Sequence, residues 1–158
     1  MENRYVFQSS IGMLKICEEN GSLTRLCLQQ EDMGGVPTQN FEKHSDLLYE
    51  AYTQLNEYFA GKRMKFDLPL KAKGTAFQQR VWQELLKIPY GETRSYEDIA
   101  VGIGNRRAVR AVGQANGRNP IMIIVPCHRV IHKSGSIDGF ACGTEIKRFL
   151  LDLEKGKG

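Results

Sequence analysis

Apolar and polar positions change period twice along the chain, and the changes mark its parts. Tyr5-Val6-Phe7, Met13 to Cys17 and Leu23 to Leu28 are short apolar-rich runs and read as three strands. Asn20-Gly21 predicts a two-residue hairpin turn between the second and third, because both positions tolerate positive φ. A turn of that length sets Cys17 opposite Thr24 and Cys27 opposite Leu14, with the two thiols on opposite faces. Residues 30–40 read as loop. From about Ser45 to Ala60, Leu48, Ala51, Leu55 and Tyr58/Phe59 recur at helical spacing, and Gly61 supplies the stop. Phe66 to Leu70 is extended, since Pro69 opposes helix, and Lys71-Ala72-Lys73-Gly74 reads as a linker.

Beyond the linker the period is mostly helical. Thr75 and Gln78 form a capping box: a hydroxyl, then an amide side chain three residues on. The helix they open runs to about Lys87, with Phe77, Val81, Leu85 and Ile88 on one stripe and Trp82 in the same core. Ser95 to Asp98 is a second cap, opening a short helix through Ala100. After the turn Gly102-Ile103-Gly104-Asn105, a helix from Arg106 to Asn116 is expected, capped by Asn105. Short helix, glycine turn and basic helix together are the pattern of a helix-turn-helix. Ile121 to Val125 is uninterruptedly apolar and reads as a strand buried on both faces. A last helix runs from Thr144 to about Leu153, with Ile146, Phe149, Leu150 and Leu153 on its apolar stripe and Glu154 at its end. The expected architecture is a small antiparallel sheet with a helix, an α/β domain over residues 1–72, followed by a mainly α domain over 73–158.

Charge sharpens this division. Residues 1–70 carry seven Lys/Arg against ten Asp/Glu, whereas residues 71–120 carry nine against four, so the basic excess falls on the helix-turn-helix. Such a face suits phosphates. The predicted helix 106–116 is also poor in bulk: Ala108, Ala111, Gly113, Ala115 and Gly117 would let it approach a groove closely. A glycine inside a helix costs about 1 kcal/mol relative to alanine, so Gly113 needs a reason. Close approach of the backbone to DNA or to a neighbouring helix is one. No apolar run is long enough to span a bilayer, and no leader-like segment stands at the N-terminus, so a reducing, cytoplasmic setting is expected, nuclear if the source is eukaryotic. The four cysteines lack zinc-finger spacing, His44 reads as a lone surface histidine, and no metal site is expected.

The chemistry concentrates in Pro126-Cys127-His128-Arg129-Val130. A thiol beside an imidazole, where a rigid buried run ends, is a candidate nucleophile with its base. Adjacency alone also fits an inert buried cysteine.

The surrounding residues narrow the choice. Pro-Cys-His-Arg-Val preceded by Arg110-Ala111-Val112-Gly113 and Asn119-Pro120, and followed by Gly139-Phe140-Ala141-Cys142-Gly143, resembles the O6-alkylguanine-DNA alkyltransferases, over about Thr75 to Glu154. The resemblance implies a winged-helix-like DNA-binding domain and irreversible, single-turnover transfer of an alkyl group from O6-alkylguanine in double-stranded DNA to Cys127, with O4-alkylthymine a further substrate to consider. No cofactor is implied, and a monomer is expected. By the same resemblance, His128 is the base that takes the thiol proton through a water, Glu154 orients that histidine, and Asn119 fixes the turns around the cysteine. Tyr96 supports the departing guanine and contacts the flanking phosphate. Arg110 fills the gap left by the flipped base. The carbonyls of Cys127 and Val130 read the guanine amino group, and Phe140 and Ala141 wall the pocket. Glu97, Asn105 and Lys133 fall where relatives contact the DNA backbone. Many relatives carry tyrosine where Phe140 stands and glycine where Cys142 stands, so a hydroxyl is lost and a second thiol gained. The second helix of the motif is expected in the minor groove, whose degenerate readout suits scanning of any sequence. Some relatives bind structural zinc in their N-terminal part, and no matching ligand set is evident here.

Three other readings fit parts of the pattern. A non-catalytic lesion-binding module of the same fold would lack the acceptor cysteine. A helix-turn-helix regulator leaves Glu154 and Asn119-Pro120 without a purpose. A cysteine hydrolase usually draws its Cys and His from distant parts of the chain.

Overall fold

Three strands open the chain, β1 (Glu2–Ser9), β2 (Gly12–Glu19) and β3 (Ser22–Leu28), and they form one antiparallel sheet in the order β1-β2-β3. The structure, a computed structural model, describes residues 2–29, 46–137 and 143–156. It divides into two compact units, residues 1–72 and 73–158. Among the described residues no helix is long and apolar enough to cross a membrane.

In the first unit, Asn20 and Gly21 both take positive φ, 53° and 83°, and Ser22 pairs with Glu19, as a two-residue turn requires. The register beyond the turn differs from the expected one. The ladder slips between Cys17 and Glu18, so that Cys17 faces Arg25 and Cys27 faces Lys15. Thr24 is the extra residue of a bulge, and on its outer edge Leu23 gives its N–H to Pro69 O and its carbonyl to Lys71 N–H, at 2.8 Å each. One residue of slip reverses the faces. Cys17 and Cys27 therefore share a face. They still have no third ligand, as the described residues hold no group of three or more His, Cys, Asp or Glu able to take a metal.

The other face of the sheet carries Tyr5, Phe7, Leu14, Ile16 and Leu26, all buried, and receives α1 (Asp46–Phe59) through Leu48, Ala51, Leu55 and Tyr58. Tyr52 meets the rings of Tyr5 and Phe7 edge-on at 5.5 and 4.9 Å. Gln54 is buried with both ends of its amide bonded to the backbone of Asp67, which secures the extended segment ahead of Leu70. His44 lies outside the described residues.

The second unit begins with α2 (Ala76–Leu85), opened by the expected capping box with both reciprocal bonds between Thr75 and Gln78. Val81, Trp82 and Leu85 are buried, and Trp82 Nε1 donates to Ala115 O at 2.9 Å. A short strand β4 (Arg94–Ser95) leads into α3 (Tyr96–Gly102), whose capping box joins Ser95 and Asp98. The helix expected from Arg106 is broken in two. Arg106–Ala108 is a single 3-10 turn, α4 spans Val109–Gly117, and Asn105 makes no side-chain capping bond. Asn105 lies at φ −145° and ψ 83° and holds this turn through its carbonyl, which accepts from Ala108 N–H.

The apolar run Ile121 to Val125 is buried throughout, as expected, but it is not a strand. It folds into tight turns, with Ile124 N–H on Met122 O at 2.7 Å and Val125 N–H on Ile121 O at 3.0 Å. Ile123 takes φ 70°, an unfavourable region for a β-branched residue. Cys127–Arg129 is a further 3-10 turn, followed by strand β5 (Val130–Ile131), which pairs in parallel with β4. The chain closes with α5 (Thr144–Glu154). Its most buried stripe is Lys147, Leu150, Leu151 and Glu154, while Ile146 and Phe149 are only half-buried. Spacing i, i+3, i+4, i+7 puts a lysine and a glutamate on the core side.

Candidate active site

Asn119 builds the ground on which the cysteine stands. Its Nδ2 donates to Val125 O at 2.8 Å and Ile121 O at 3.3 Å, and its Oδ1 accepts from Ile121 N–H at 3.0 Å. Buried carbonyls need partners, and in a coiled run they have no ladder to supply them. One amide side chain does so, and Cys127 N–H then closes on Val125 O at 2.8 Å. Cys127 is thus held by a hydrogen-bonded knot rather than by a strand end.

The next residue turns inward. His128 is wholly buried, with Nε2 2.6 Å from Glu154 Oε2. Arg129 grips the same carboxylate, Nε on Oε1 at 2.7 Å and Nη2 on Oε2 at 3.0 Å, and spends Nη1 on Ile88 O at 2.8 Å. Burial alone would raise the Glu154 carboxyl, but hydrogen bonds from His128 and Arg129 outweigh it and hold the group well below the usual carboxylate range. Burial also pushes His128 below its ordinary value, against the pull of Glu154. Glu154 is therefore ionised, and a neutral His128 donates its Nε2 proton to it. That fixes the tautomer: Nδ1 carries the lone pair.

Two further side chains hold the carbonyls on either side of His128-Arg129. Asn116 Nδ2 donates to Cys127 O at 3.3 Å, and Lys147 Nζ donates to Val130 O at 2.6 Å. Lys147 is buried, and its ammonium lies 6.0 Å from the centre of the Tyr96 ring. Burial brings it down to about 8, while the facing Cys127 pulls the other way. Tyr96 is half-buried, and its phenol is raised by burial and then by Cys127, so it stays a proton donor at neutral pH.

Tyr96 also borders an open groove of about 700 Å³, lined among others by Val109, Arg110, Gly113, His132 and Lys133. The 3-10 turn and α4 turn Arg106, Arg107, Arg110 and Arg118 to solvent. Gly113 faces Tyr96, but a Cβ there would stand 3.9 Å from the ring, an ordinary contact, so packing against a neighbouring helix does not require glycine.

The structure therefore brings Cys127, His128, Asn119, Glu154, Val130 and Tyr96 together, with Arg110 on the groove wall. Glu97 and Lys133 stand 3.8 Å apart as a loose exposed pair, and Asn105 is exposed at the turn before Arg106. Phe140, Ala141 and Cys142 lie outside the described residues. Sequence reasoning missed Arg129, Asn116, Lys147 and His132. Reading Lys147, Leu150, Leu151 and Glu154 as one helical stripe would have found the lysine. Nothing local marks Asn116.

Both units match known families. Residues 4–72 match the 6-O-methylguanine DNA methyltransferase, ribonuclease-like domain, and residues 76–156 match the 6-O-methylguanine DNA methyltransferase, DNA binding domain. The constitutive methylated-DNA–protein-cysteine methyltransferase of Bacillus subtilis is 55% identical over 94% of this chain and 92% of its own. The methylated-DNA–protein-cysteine methyltransferase of Methanosarcina barkeri is 59% identical over 95% of each. Among solved structures, that of Mycobacterium tuberculosis OGT in complex with DNA is similar at a TM-score of 0.85 and 46% identity, covering 98% of this chain and 94% of its own.

Proposed function

Because the chain belongs to the 6-O-methylguanine DNA methyltransferase family, we propose that it repairs DNA by taking the alkyl group of an O6-alkylguanine onto Cys127, once per molecule. What supports Cys127 as the acceptor is the buried sequence of groups beside it: a neutral His128 whose Nε2 stands 2.6 Å from an ionised Glu154. This is the nucleophile, base and orienter arrangement of covalent catalysts. Cys17 and Cys27 stand on the sheet of the other unit, with no such base among their strand partners.

The residues divide the reaction as follows. His128 Nδ1 accepts the proton of the Cys127 thiol, by way of water, and Glu154 stabilises the imidazolium that forms. The thiolate then attacks the alkyl carbon in line. The S–C bond forms as the C–O6 bond breaks, and the electron pair stays on the guanine. Tyr96, protonated and at the groove wall, gives a hydrogen bond or proton to the base as that charge develops. A thioether and an unmodified guanine result. No group here returns a thiol from a thioether, so the protein is spent.

The lesion must leave the stack to meet the sulfur, which costs a few kcal/mol. Arg110 is the side chain that would occupy the vacated space. Val130 O would read the guanine amino group, and Phe140 and Ala141 would close the pocket. Arg106 and Lys133 would meet phosphates, with Glu97 and Asn105 beside them. On this reading residues 73–158 form the DNA-binding and alkyl-acceptor domain, acting as a monomer. With a host like Bacillus or Methanosarcina, it works in the cytoplasm, where the genome is.

Intact mass spectrometry after incubation with duplex DNA carrying O6-methylguanine tests this directly. Wild type should gain one methyl group, stoichiometrically, on the peptide containing Cys127. Cys127→Ala should gain none and still bind the duplex. Methylation of Cys142 instead, or transfer by Cys127→Ala, would overturn the assignment.

A further inference from the structure

Buried polar atoms nearly always have partners, and exceptions call for a cause. Among the described residues two buried side-chain atoms have none in the protein: Asn116 Oδ1 and His128 Nδ1. Both belong to residues built around Cys127. His128 follows it in the chain, and Asn116 reaches it from α4 through the bond to its carbonyl.

The chemistry of the two atoms is the same. Glu154 holds the Nε2 proton of His128, so Nδ1 is an acceptor. Asn116 must present its NH₂ end to Cys127 O, so Oδ1 is an acceptor as well. Two acceptors cannot satisfy each other. A molecule with two hydrogens satisfies both, and water is the one that fits buried sites of this kind. With both hydrogens donated, such a water keeps its lone pairs for the S–H of Cys127.

We propose that Asn116 Oδ1 and His128 Nδ1 hold one buried water against the Cys127 thiol, which makes Asn116 a positioning residue for the proton transfer. The inference rests on the reading of Cys127 as the alkyl acceptor, and it adds a role to an α4 residue that the relay of thiol, histidine and carboxylate does not include. Asn116 takes one hydrogen of the water and so aims the other at His128. The thiol proton passes to the water as the water's own proton passes to Nδ1, and neither hydronium nor hydroxide is released. A buried asparagine in a helix is otherwise a poor choice, being a weak helix former with an amide to satisfy. An apolar residue there would pack without that cost.

Asn116→Leu tests this. It keeps about the same volume, removes the acceptor and favours the helix. Single-turnover rates with free O6-benzylguanine, which needs no base extrusion, are measured from pH 6 to 10. The variant should lose about tenfold or more at neutral pH, since a positioned general base is worth at least that. It should recover toward wild type at high pH, where hydroxide removes the thiol proton. Among the described residues the titratable groups around the thiol are His128 and Arg129 on its own turn, Tyr96 from α3, and Lys147 and Glu154 from α5, and all are retained. Asn116→Ala, which deletes the acceptor and leaves room for solvent, should shift the profile in the same direction by less, and it stands in if the leucine variant folds poorly. Combining Asn116→Leu with His128→Ala should cost no more than His128→Ala alone. An unmoved profile in both single variants, or a loss equal at every pH, overturns the inference while leaving Cys127 as the acceptor. Absence of any alkyl transfer by wild type overturns both together.

Discussion

Arg129 and Glu154 are joined by two charge-assisted hydrogen bonds, at 2.7 and 3.0 Å, in a site from which both are almost withdrawn from water. The carboxylate that orients His128 is therefore itself oriented, and kept charged, by the residue next to that histidine. Pro-Cys-His-Arg-Val thus carries both the base and the guard of its partner.

Stability should fall with acid through this cluster. The folded value of Glu154 is depressed, so its contribution is complete above its ordinary value of 4.5 and is lost as pH falls below it. The folded value of His128 is also depressed. The unfolded chain takes up that proton as pH falls through 6.5, and the folded chain resists. Both signs agree, so urea midpoints should decline from pH 7 to pH 4. Arg129→Met should cost about 3–5 kcal/mol at pH 7, because it leaves a buried charge uncompensated. A change below about 1 kcal/mol would mean that water reaches Glu154.

Lys147→Met should separate stability from activity. The folded ammonium titrates near 8 and the unfolded one near 10.5, so wild type gains stability as pH rises between those values, where the unfolded chain binds more protons. The variant should lack that gain and should be at least as stable as wild type at pH 7. It should also transfer alkyl groups more slowly, because the cation beside Cys127 and Tyr96 is gone. Denaturation curves at pH 7 and 10, set beside single-turnover rates, check both halves. Unchanged rates would make Lys147 a prop for Val130 O and nothing more.

Gly113→Ala should stabilise the free protein by up to about 1 kcal/mol, as alanine replaces glycine in a helix and the new methyl meets only the Tyr96 ring at ordinary distance. Duplex binding should weaken severalfold, while the rate with free O6-benzylguanine holds. Equal binding by both proteins would show that α4 does not approach DNA through its backbone here.

Arg110→Ala should slow repair of O6-methylguanine in duplex DNA far more than reaction with free O6-benzylguanine. Its side chain is exposed on the groove wall beside small residues, free to enter a stack. Phosphate-directed variants such as Arg106→Ala should instead weaken binding uniformly and reduce its salt dependence. If duplex and free base lose rate by the same factor, Arg110 acts on the pocket and not on extrusion.

Sequence was sufficient wherever the deciding interaction is local. Thr75 with Gln78 and Ser95 with Asp98 close their boxes within four residues, so both helix starts were legible. Asn20-Gly21 specified its own turn. The sheet register beyond it did not follow, because the bulge at Thr24 moves the ladder by one residue, and a turn dipeptide does not specify a bulge. Ile121 to Val125 was legible as buried, since apolar residues leave water in any conformation. Its turns were not, because they depend on a single amide, Asn119, bonding three backbone groups at once.

The same division runs through the site. The sequence by itself determined the nucleophile and its base, which are neighbours in the chain, and the carboxylate came with the family's pattern. Only the tertiary structure decided which face of α5 turns inward, setting Lys147 against Val130 and Glu154 against Arg129. It also brought Asn116 from α4 to the carbonyl of Cys127. A helix's apolar stripe is too broad to fix its rotation to one residue, and a buried polar side chain shows its purpose only when its partner, distant in sequence, is in place.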